Sequence, residues 1–289
     1  NFLYPEYPYY NDPIIPKEDF KEIYLENDKT ICSNINQENN LYNFSNIISD
    51  LSTMYNPGIG SNNWAVGYEH TKNGHSILAN DPHLGLSLPN VWYVVQLSTP
   101  DLDIMGATFP GAPGVLSGFN NYIAWGETNG EDDVSDFYKI EIDSQNSNNY
   151  IYGGESIPFD KREEIILIRG DAFRFPTDTT FIVKSTKHGP IIIESKNDDL
   201  STYNRGLISI SSDINLAFRW LAHDPTKEIK AFYYLNNATN YEEFLDALSD
   251  YECPCQNFVY ADILGNIGMY HKGKLPIRCE QNGKGILPG

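Results

Sequence analysis

The stretch YNPGIGSNNWAVG, residues 55–67, runs from turn-forming residues into a serine, two asparagines, a tryptophan and apolar residues. Before it, apolar residues recur at three- and four-residue spacings between Leu41 and Met54, which predicts one amphipathic helix. The triplet NPG at 56–58 is a strong signal for the end of that helix. Ser61 therefore follows a helix and a turn, and it begins a new element.

Strand-forming runs dominate the chain after Ser61. Short groups of β-branched and aromatic residues alternate with Gly, Pro, Asn and Asp, which is typical of β-strands. Asn73-Gly74 and, near the C-terminus, Leu264-Gly265-Asn266 predict hairpin turns. The predicted strand runs are NWAVGYEH, SILAND, VWYVVQLST, YIAWGETN, EIILI, TTFIVKST, PIIIE and NFVYADILGNIGMYHKG.

Two helices interrupt the predicted strands, at about 214–221 and 241–248. Thr239 or Asn240 caps the second, and glutamates occupy its first turn. We therefore predict an α+β domain of stacked antiparallel sheets with flanking helices, and the sequence contains no internal repeat.

Charge and length limit the functions that the chain can have. The 289 residues carry 20 Lys and Arg against 39 Asp and Glu, a formal charge of -19. This balance argues against a nucleic-acid partner, because phosphate binding needs the opposite sign. It suits solubility and cation capture. The length is compatible with one large β-rich domain, and no run of eighteen apolar residues predicts a membrane span.

The two ends suggest a piece of a longer protein. The first residues, NFLYPEYPYYNDP, lack an initiator Met, a basic region and an apolar core, so they do not resemble a signal peptide. The last residues, NGKGILPG, end in a loop-like sequence with no closing element. We therefore expect the chain to continue in both directions.

Cysteine usage argues against two kinds of cross-link. Four cysteines, Cys32, Cys253, Cys255 and Cys279, are too few for a disulfide scaffold in a chain of this length. The pair Cys253 and Cys255 has one intervening residue rather than two, and no second pair accompanies it. This spacing argues against a zinc site.

The familiar serine-hydrolase patterns are absent from the sequence. No G-x-S-x-G motif occurs, since GVLSGF around Ser117 has the wrong spacing. Six histidines show no H-x-x-x-H or H-E-x-x-H spacing. An activated serine needs no histidine, however, if the Gly60–Ser61 bond is cut. Ser61 then gains a free α-amine with an ordinary pKa of about 8, which can serve as general base for its own hydroxyl. Glycine before the serine suits a strained cleavage site, although a Gly-Ser pair taken alone is more often only a turn.

The order of longer motifs gives Ser61 its context. From Gly60 to Gly289 the sequence resembles the penicillin acylase family of N-terminal nucleophile hydrolases. The resemblance implies the four-layer α-β-β-α sandwich of antiparallel sheets found in that family. It also implies that residues 1–60 are the end of the small subunit with its spacer, and that 61–289 are the N-terminal part of the large subunit. The motifs are, in chain order, GSNNWAVG, ILANDPHLGLSLPNVWY, GATFPGAPGVLSGFNNYIAWGETN, DDVSDFY, KHGPIII, FRWLAHDP and QNFVYADILGNIGMY.

Five site residues follow from the resemblance, position by position. Ser61 is the nucleophile and the first residue of the large subunit after autocatalytic cleavage. His83 in NDPHL and Asn129 in AWGETN supply backbone amides to the oxyanion hole, and Asn257 in QNFVYAD supplies its side-chain amide. Arg278 in LPIR orders the nucleophile and its neighbours. Such donors stabilise the charge of a tetrahedral intermediate.

A plainer interpretation stands beside each of these assignments. Alone, His83 is a structural histidine, Asn129 and Asn257 are strand-end residues with local hydrogen bonds, and Arg278 is a surface ion pair. The four tryptophans are core residues rather than pocket residues; they are Trp64, Trp92, Trp125 and Trp220.

A calcium site is also implied by the resemblance. Asp133, the carbonyl of Ser135, and Asp136 in GEDDVSDFY match family positions that hold a structural Ca²⁺ ion, and hard oxygen ligands suit calcium. The alternative is a solvated acidic loop. No organic cofactor is implied.

The sequence therefore predicts an autoprocessing amidohydrolase that cleaves the linear amide of small N-acyl compounds. Penicillins, acyl-homoserine lactones, other N-acyl amines and acyl peptides all remain open as substrates, and His83 leans away from the penicillin G type. The other partners are the missing segments of the same precursor, and the resemblance implies a periplasmic or extracellular location. The alternatives are a non-catalytic binding protein of the same fold and, more remotely, a calcium-dependent carbohydrate-binding protein.

Overall fold

Sixteen strands and two α-helices account for most of the described chain. The computed structural model describes residues 60–85, 87–170, 175, 177–194, 214–278 and 285–289, and the predicted helix at 41–54 lies outside them. The strands are β1 Gly60–Val66, β2 Ile77–His83, β3 Tyr93–Ser98, β4 Asp103–Thr108, β5 Ser117–Asn120, β6 Ile123–Asn129, β7 Ser135–Ile142, β8 Asn149–Tyr152, β9 Glu155–Pro158, β10 Asp160–Ile168, β11 Thr177–Thr186, β12 Gly189–Ile193, β13 Asn215–Trp220, β14 Gln256–Asp262, β15 Ile267–Lys272 and β16 Ile286–Pro288. The helices are α1 Glu228–Asn237 and α2 Tyr241–Ser249, and two short 3₁₀ turns cover Tyr68–His70 and Leu221–His223.

The described residues fall into two compact units. One, the Ser61 unit, contains the described residues up to 134 and those from 220 to 276. The other, the Arg278 unit, contains the described residues of 135–219 and 277–289. Four of the five predicted catalytic residues belong to the Ser61 unit.

The Ser61 unit is built on a six-stranded antiparallel sheet in the order β15-β14-β6-β5-β4-β3. Both helices pack on one face of this sheet. There Trp125 of β6 and Phe258 of β14 are buried in one core with Leu235 of α1 and Phe244 of α2. The core interpretation is therefore confirmed for Trp125. It is wrong for Trp64 and Trp220, whose exposed fractions are 52% and 40%, and Trp92 is only partly buried.

The opposite face of the sheet carries the β1–β2 hairpin. These strands pair antiparallel from Gly60 opposite His83 to Val66 opposite Ile77, as the Asn73-Gly74 signal predicts. Gly126 of β6 lies directly beneath Asn80 of β2, and a Cβ at Gly126 would lie 2.6 Å from the Asn80 Cβ. Glycine at this position therefore lets the hairpin approach the sheet closely.

Helix α2 confirms the predicted second helix. Asn240 is the cap, and its Oδ1 accepts a hydrogen bond from the Glu243 backbone amide at 2.9 Å. Helix α1, in contrast, was not predicted. Its buried residues Ala231 and Leu235 are four apart, but exposed Tyr233 and Tyr234 lie between them and obscure the periodicity.

The Arg278 unit contains an eight-stranded sheet in the order β10-β11-β12-β13-β7-β8-β9, with β16 paired parallel to β7. Its core includes Ile140, Tyr150, Phe159 and Ala217. The prediction of a helix at 214–221 is wrong, because most of these residues form strand β13, which lies between β12 and β7 in this sheet. A central strand has both faces covered, so consecutive residues such as Leu216 and Ala217 are both buried and imitate the spacing of a buried helix.

Mixed strands and helices of this kind confirm the predicted α+β class. Apart from β16, the pairings recorded between strands are antiparallel, as expected for short β-rich runs joined by turns. Among the described helices, none is long and apolar enough to cross a membrane.

Candidate active site

Ser61 is the second residue of β1, and its hydroxyl lies at the peptide bond predicted to break. Its Oγ donates to the carbonyl oxygen of Gly60 at 2.7 Å. Its partner across the hairpin is Pro82, which has no N–H and leaves the ladder at most one hydrogen bond at this point. Gly60 is exposed and has no positive φ, and a Cβ at this position would meet nothing within 4 Å. The backbone strain expected at Gly60 is therefore not seen. The Gly60–Ser61 peptide bond is instead exposed, and at most one hydrogen bond of the ladder holds Ser61 to Pro82.

Asn63 links the nucleophile strand to the predicted oxyanion residue. Its Nδ2 donates to the backbone carbonyl of Asn257 in β14 at 2.7 Å. Side chains two apart in a strand share a face, and Ser61 and Asn63 are both less exposed than their neighbours in β1. The face of β1 that carries Ser61 is therefore the face turned toward β14.

Asn257 and Asn129 lie side by side at the end of the β14–β6 ladder. Asn257 pairs with Thr128, and the next pair is Gln256 with Asn129. The Asn257 Nδ2 lies 3.3 Å from both the Thr128 hydroxyl and the Asn129 carbonyl. Both atoms accept hydrogen bonds, so these contacts set the orientation of the amide.

His271 of β15 holds the other end of the Asn257 amide. Its Nδ1 lies 2.7 Å from the Asn257 Oδ1, and its Nε2 lies 2.9 Å from the Asp132 Oδ2. Neither His271 nor Asp132 was predicted as a site residue: 139 positions of the chain separate them, and the motif DDVSDFY, which contains Asp132, was assigned to calcium through other residues. Their contact exists only through the β6–β14–β15 pairing.

A second asparagine, Asn80 of β2, anchors the hairpin over the same sheet. Its Nδ2 donates to the Glu127 carbonyl at 2.9 Å, and its Oδ1 accepts from the Ser117 hydroxyl at 2.7 Å. Neither Asn63 nor Asn80 was selected from the sequence. Asparagine is depleted within strands, so its presence inside two predicted strands was the available signal.

His83 ends β2 opposite Gly60, so the structure brings it beside the predicted cleavage site. Its ring lies 2.9 Å from the Asp81 carboxylate, and both side chains are substantially exposed. The role predicted for His83 belongs to its backbone amide, and that assignment stays a prediction.

Arg278 lies in the other unit, where it pairs with a predicted calcium ligand. Its Nε donates to both carboxylate oxygens of Asp136, at 3.1 and 2.9 Å, and its Nη2 donates to the Ser135 carbonyl at 3.4 Å. The pair is largely buried, with side-chain exposures of 17% and 8%. The plainer interpretation of Arg278 as a surface ion pair is therefore wrong in one respect, because the ion pair with Asp136 is largely buried.

The same contacts bear on the predicted calcium site. A guanidinium engages two of its three ligand groups, so in this arrangement Asp136 and Ser135 do not fit a calcium ion at the same time. Asp133, the third predicted ligand, belongs to the Ser61 unit. Calcium binding stays a prediction, and no chemical step below depends on it.

Glu127 of β6 is a buried acid next to the site. Its Oε2 is fully buried without a hydrogen-bond partner, although part of the residue reaches solvent. Burial raises the pKa of Glu127 from 4.5 to about 8. A carboxyl group in such surroundings stays protonated at neutral pH, since its charged form is poorly solvated.

We expect Glu127→Gln to stabilise the full-length protein increasingly as pH rises from about 5 to 8. The folded pKa lies above the unfolded one, so the wild type loses stability as pH rises through that window, where only the unfolded state releases its proton. The difference at pH 8 should be on the order of a few kcal/mol in the free energy of unfolding. Melting temperatures across this range measure it, with exposed Glu155→Gln as the control. A difference between variant and wild type that stays constant with pH would contradict the assignment.

Comparison with known proteins places this arrangement in context. Residues 3–289 match the family model described as penicillin amidase. The chain is 32% identical over 229 residues to acyl-homoserine lactone acylase QuiP of Pseudomonas aeruginosa. This match covers 79% of this chain and 26% of that protein. It is 30% identical over 234 residues to penicillin acylase 2 proenzyme of a Pseudomonas species, covering 80% of this chain and 28% of that one.

A solved structure agrees with the sequence matches. Thermostable penicillin G acylase from Alcaligenes faecalis superposes with a TM-score of 0.62 at 27% identity, covering 76% of this chain and 36% of that chain. The chain thus spans about a quarter to a third of these relatives. The resemblance found in the sequence and the fold class that it implied are confirmed: the chain belongs to the penicillin amidase family.

Proposed function

We propose that the full-length protein is an acylase that hydrolyses the linear amide bond of small N-acyl compounds, with Ser61 as nucleophile. The observation that carries this proposal is the Asn63 hydrogen bond, which ties the Ser61 strand to the backbone of Asn257. A nucleophile strand and an oxyanion donor held to each other are what acyl transfer requires. The relatives named above as acylases support the same chemistry.

The first step is cleavage of the chain by its own serine. The Ser61 Oγ adds to the carbonyl carbon of Gly60, and the carbon–nitrogen bond breaks as its nitrogen takes a proton. Gly60 is then esterified to the Ser61 oxygen, and water hydrolyses this ester to leave a Gly60 carboxylate. The hydrogen bond from Oγ to the Gly60 carbonyl holds the reacting groups together beforehand.

The released α-amine of Ser61 then acts as general base in each turnover. It accepts the hydroxyl proton as Oγ adds to the substrate carbonyl, and the Asn257 side chain with the backbone amides of His83 and Asn129 donates to the oxyanion. The substrate amine leaves with the proton. Water hydrolyses the acyl-enzyme, and no organic cofactor takes part.

The acyl group remains open between penicillins, acyl-homoserine lactones, other N-acyl amines and acyl peptides. The remaining segments of the precursor would complete the site. We keep a periplasmic or extracellular location as part of the proposal, by analogy with the family.

The test is release of free amine by the purified full-length protein. We expect it to hydrolyse at least one member of a panel of N-acyl-homoserine lactones of increasing chain length and of phenylacetyl and aliphatic N-acyl amides. Ser61→Ala should release none, whereas Ser98→Ala, an exposed serine of β3, should match the wild type. A correctly processed protein that hydrolyses no member of the panel would instead favour a binding protein of the same fold.

A further inference from the structure

We infer that Asp132, Cys255 and His271 form a zinc-binding site beside Asn257. Their ligand atoms, a carboxylate oxygen, Sγ and a ring nitrogen, all lie within 4.8 Å of one another. Zinc takes these three ligand types in tetrahedral sites, with bonds of about 2.0–2.3 Å. Ligands in such a site lie roughly 3.5 Å apart, so a contraction of about 1 Å would close this one.

Two glycines leave the space that the cluster occupies. A Cβ at Gly130 would lie 2.6 Å from the Asp132 Oδ2 and 2.8 Å from the His271 Cε1. A Cβ at Gly273 would collide with the Cys255 Sγ. The three ligand groups therefore converge over backbone that carries no side chains.

The Asp132 carboxylate is unsatisfied in a way that a cation would correct. Its Oδ2 is fully buried and no donor is well aligned with it, although Nε2 of His271 is only 2.9 Å away and the Cys255 thiol also interacts with Asp132. A buried carboxylate oxygen without a partner is otherwise costly.

The surroundings of His271 fit a metal ligand as well. Its Nδ1 faces the Asn257 Oδ1 at 2.7 Å, and a metal on Nε2 would leave Nδ1 as the protonated donor in that contact. Its side chain is 45% exposed, so a fourth position can open to water.

The ligand set selects the metal. Cys255 is buried, and its Sγ lies 3.3 Å from the Lys274 carbonyl, where the thiol is the donor. Zinc would displace the thiol proton to solvent and bind the thiolate. A thiolate disfavours calcium and magnesium, which prefer oxygen, whereas the mixed sulfur, nitrogen and oxygen set suits zinc.

Zinc at this position would also hold the Asn257 amide through His271. This consequence rests on the proposed function, because it matters only if Asn257 stabilises an oxyanion. The binding of zinc itself does not depend on that function.

The experiment is a metal titration of the full-length protein, stripped with a chelator and then saturated with calcium to fill any oxygen site. We expect one equivalent of Zn²⁺ per chain to bind. Co²⁺ should bind in its place with a thiolate-to-cobalt absorption band that Zn²⁺ abolishes. Cys255→Ser and Asp132→Asn preserve side-chain shape, and each should weaken zinc binding by at least about tenfold.

Two further variants distinguish this site from zinc binding elsewhere in the chain and from loss of activity. Cys253→Ser, which changes a buried cysteine outside the cluster, should keep wild-type affinity and the cobalt band. Ser61→Ala should also bind zinc normally, even though it would abolish the proposed activity. The inference is overturned if the wild type binds no stoichiometric zinc, or if folded Cys255→Ser binds it as tightly as the wild type.

Discussion

Full-length protein carrying Ser61→Ala should remain a single chain, whereas the wild type should yield a fragment beginning Ser-Asn-Asn-Trp. The reason is that the Ser61 hydroxyl is the group in contact with the Gly60 carbonyl, at 2.7 Å, so its removal leaves this bond without the proposed attacking oxygen. Intact mass and N-terminal sequencing of both proteins measure the outcome. The expected change is complete, from cleaved to uncleaved.

The matched control for this prediction is Ser98→Ala, which should be cleaved as the wild type is. Circular dichroism should show that Ser61→Ala retains the fold, since the alanine removes only an oxygen at a lightly packed strand. Cleavage of Ser61→Ala at the same bond would show that another protease cuts there. If a well-folded wild type stays uncleaved, Ser61 has no free α-amine, and the proposed general base is absent.

Ser61 and Asn257 could be selected from the sequence because each lies within a long local motif. Their motifs also predicted correct local structure, namely the β1–β2 hairpin and the β14–β15 hairpin. Local turn signals and alternation of residue type depend on neighbours in the chain, so the sequence alone expresses them.

The elements that sequence reasoning missed depend on distant partners. Strand β13 resembles a helix until its position between two other strands is known, because burial on both faces removes the alternation. Helix α1 presents Tyr233 and Tyr234 outward, so its buried face does not stand out.

The same limit applies to the site. The sequence argued against a zinc site formed by Cys253 and Cys255, because the spacing between them is too short. The partners of Cys255 in the structure are instead Asp132 and His271, brought in by two neighbouring strands. The Arg278 pair with Asp136 was likewise beyond sequence reasoning, since 141 residues lie between them.

Asn257→Ala should lower kcat of the processed enzyme by about 10²–10³ while changing KM little. The Asn257 amide is oriented at both ends, by His271 on its oxygen and by the Asn129 carbonyl and Thr128 hydroxyl on its nitrogen. The Nδ2 group has two hydrogens, so it exchanges one of these 3.3 Å contacts for the substrate oxygen as charge develops there. Its loss therefore affects the transition state rather than substrate binding.

Rates for this variant must be divided by the amount of processed protein, because the same donor would assist cleavage at Gly60 and uncleaved chain should accumulate. Gln256→Ala is the matched control, since its side chain leaves β14 from the opposite face and should retain nearly full activity. A merely structural role for Asn257 predicts a lower melting temperature with kcat per processed, folded molecule unchanged. A selective loss of kcat, with fold and KM retained, is the result that a transition-state donor requires.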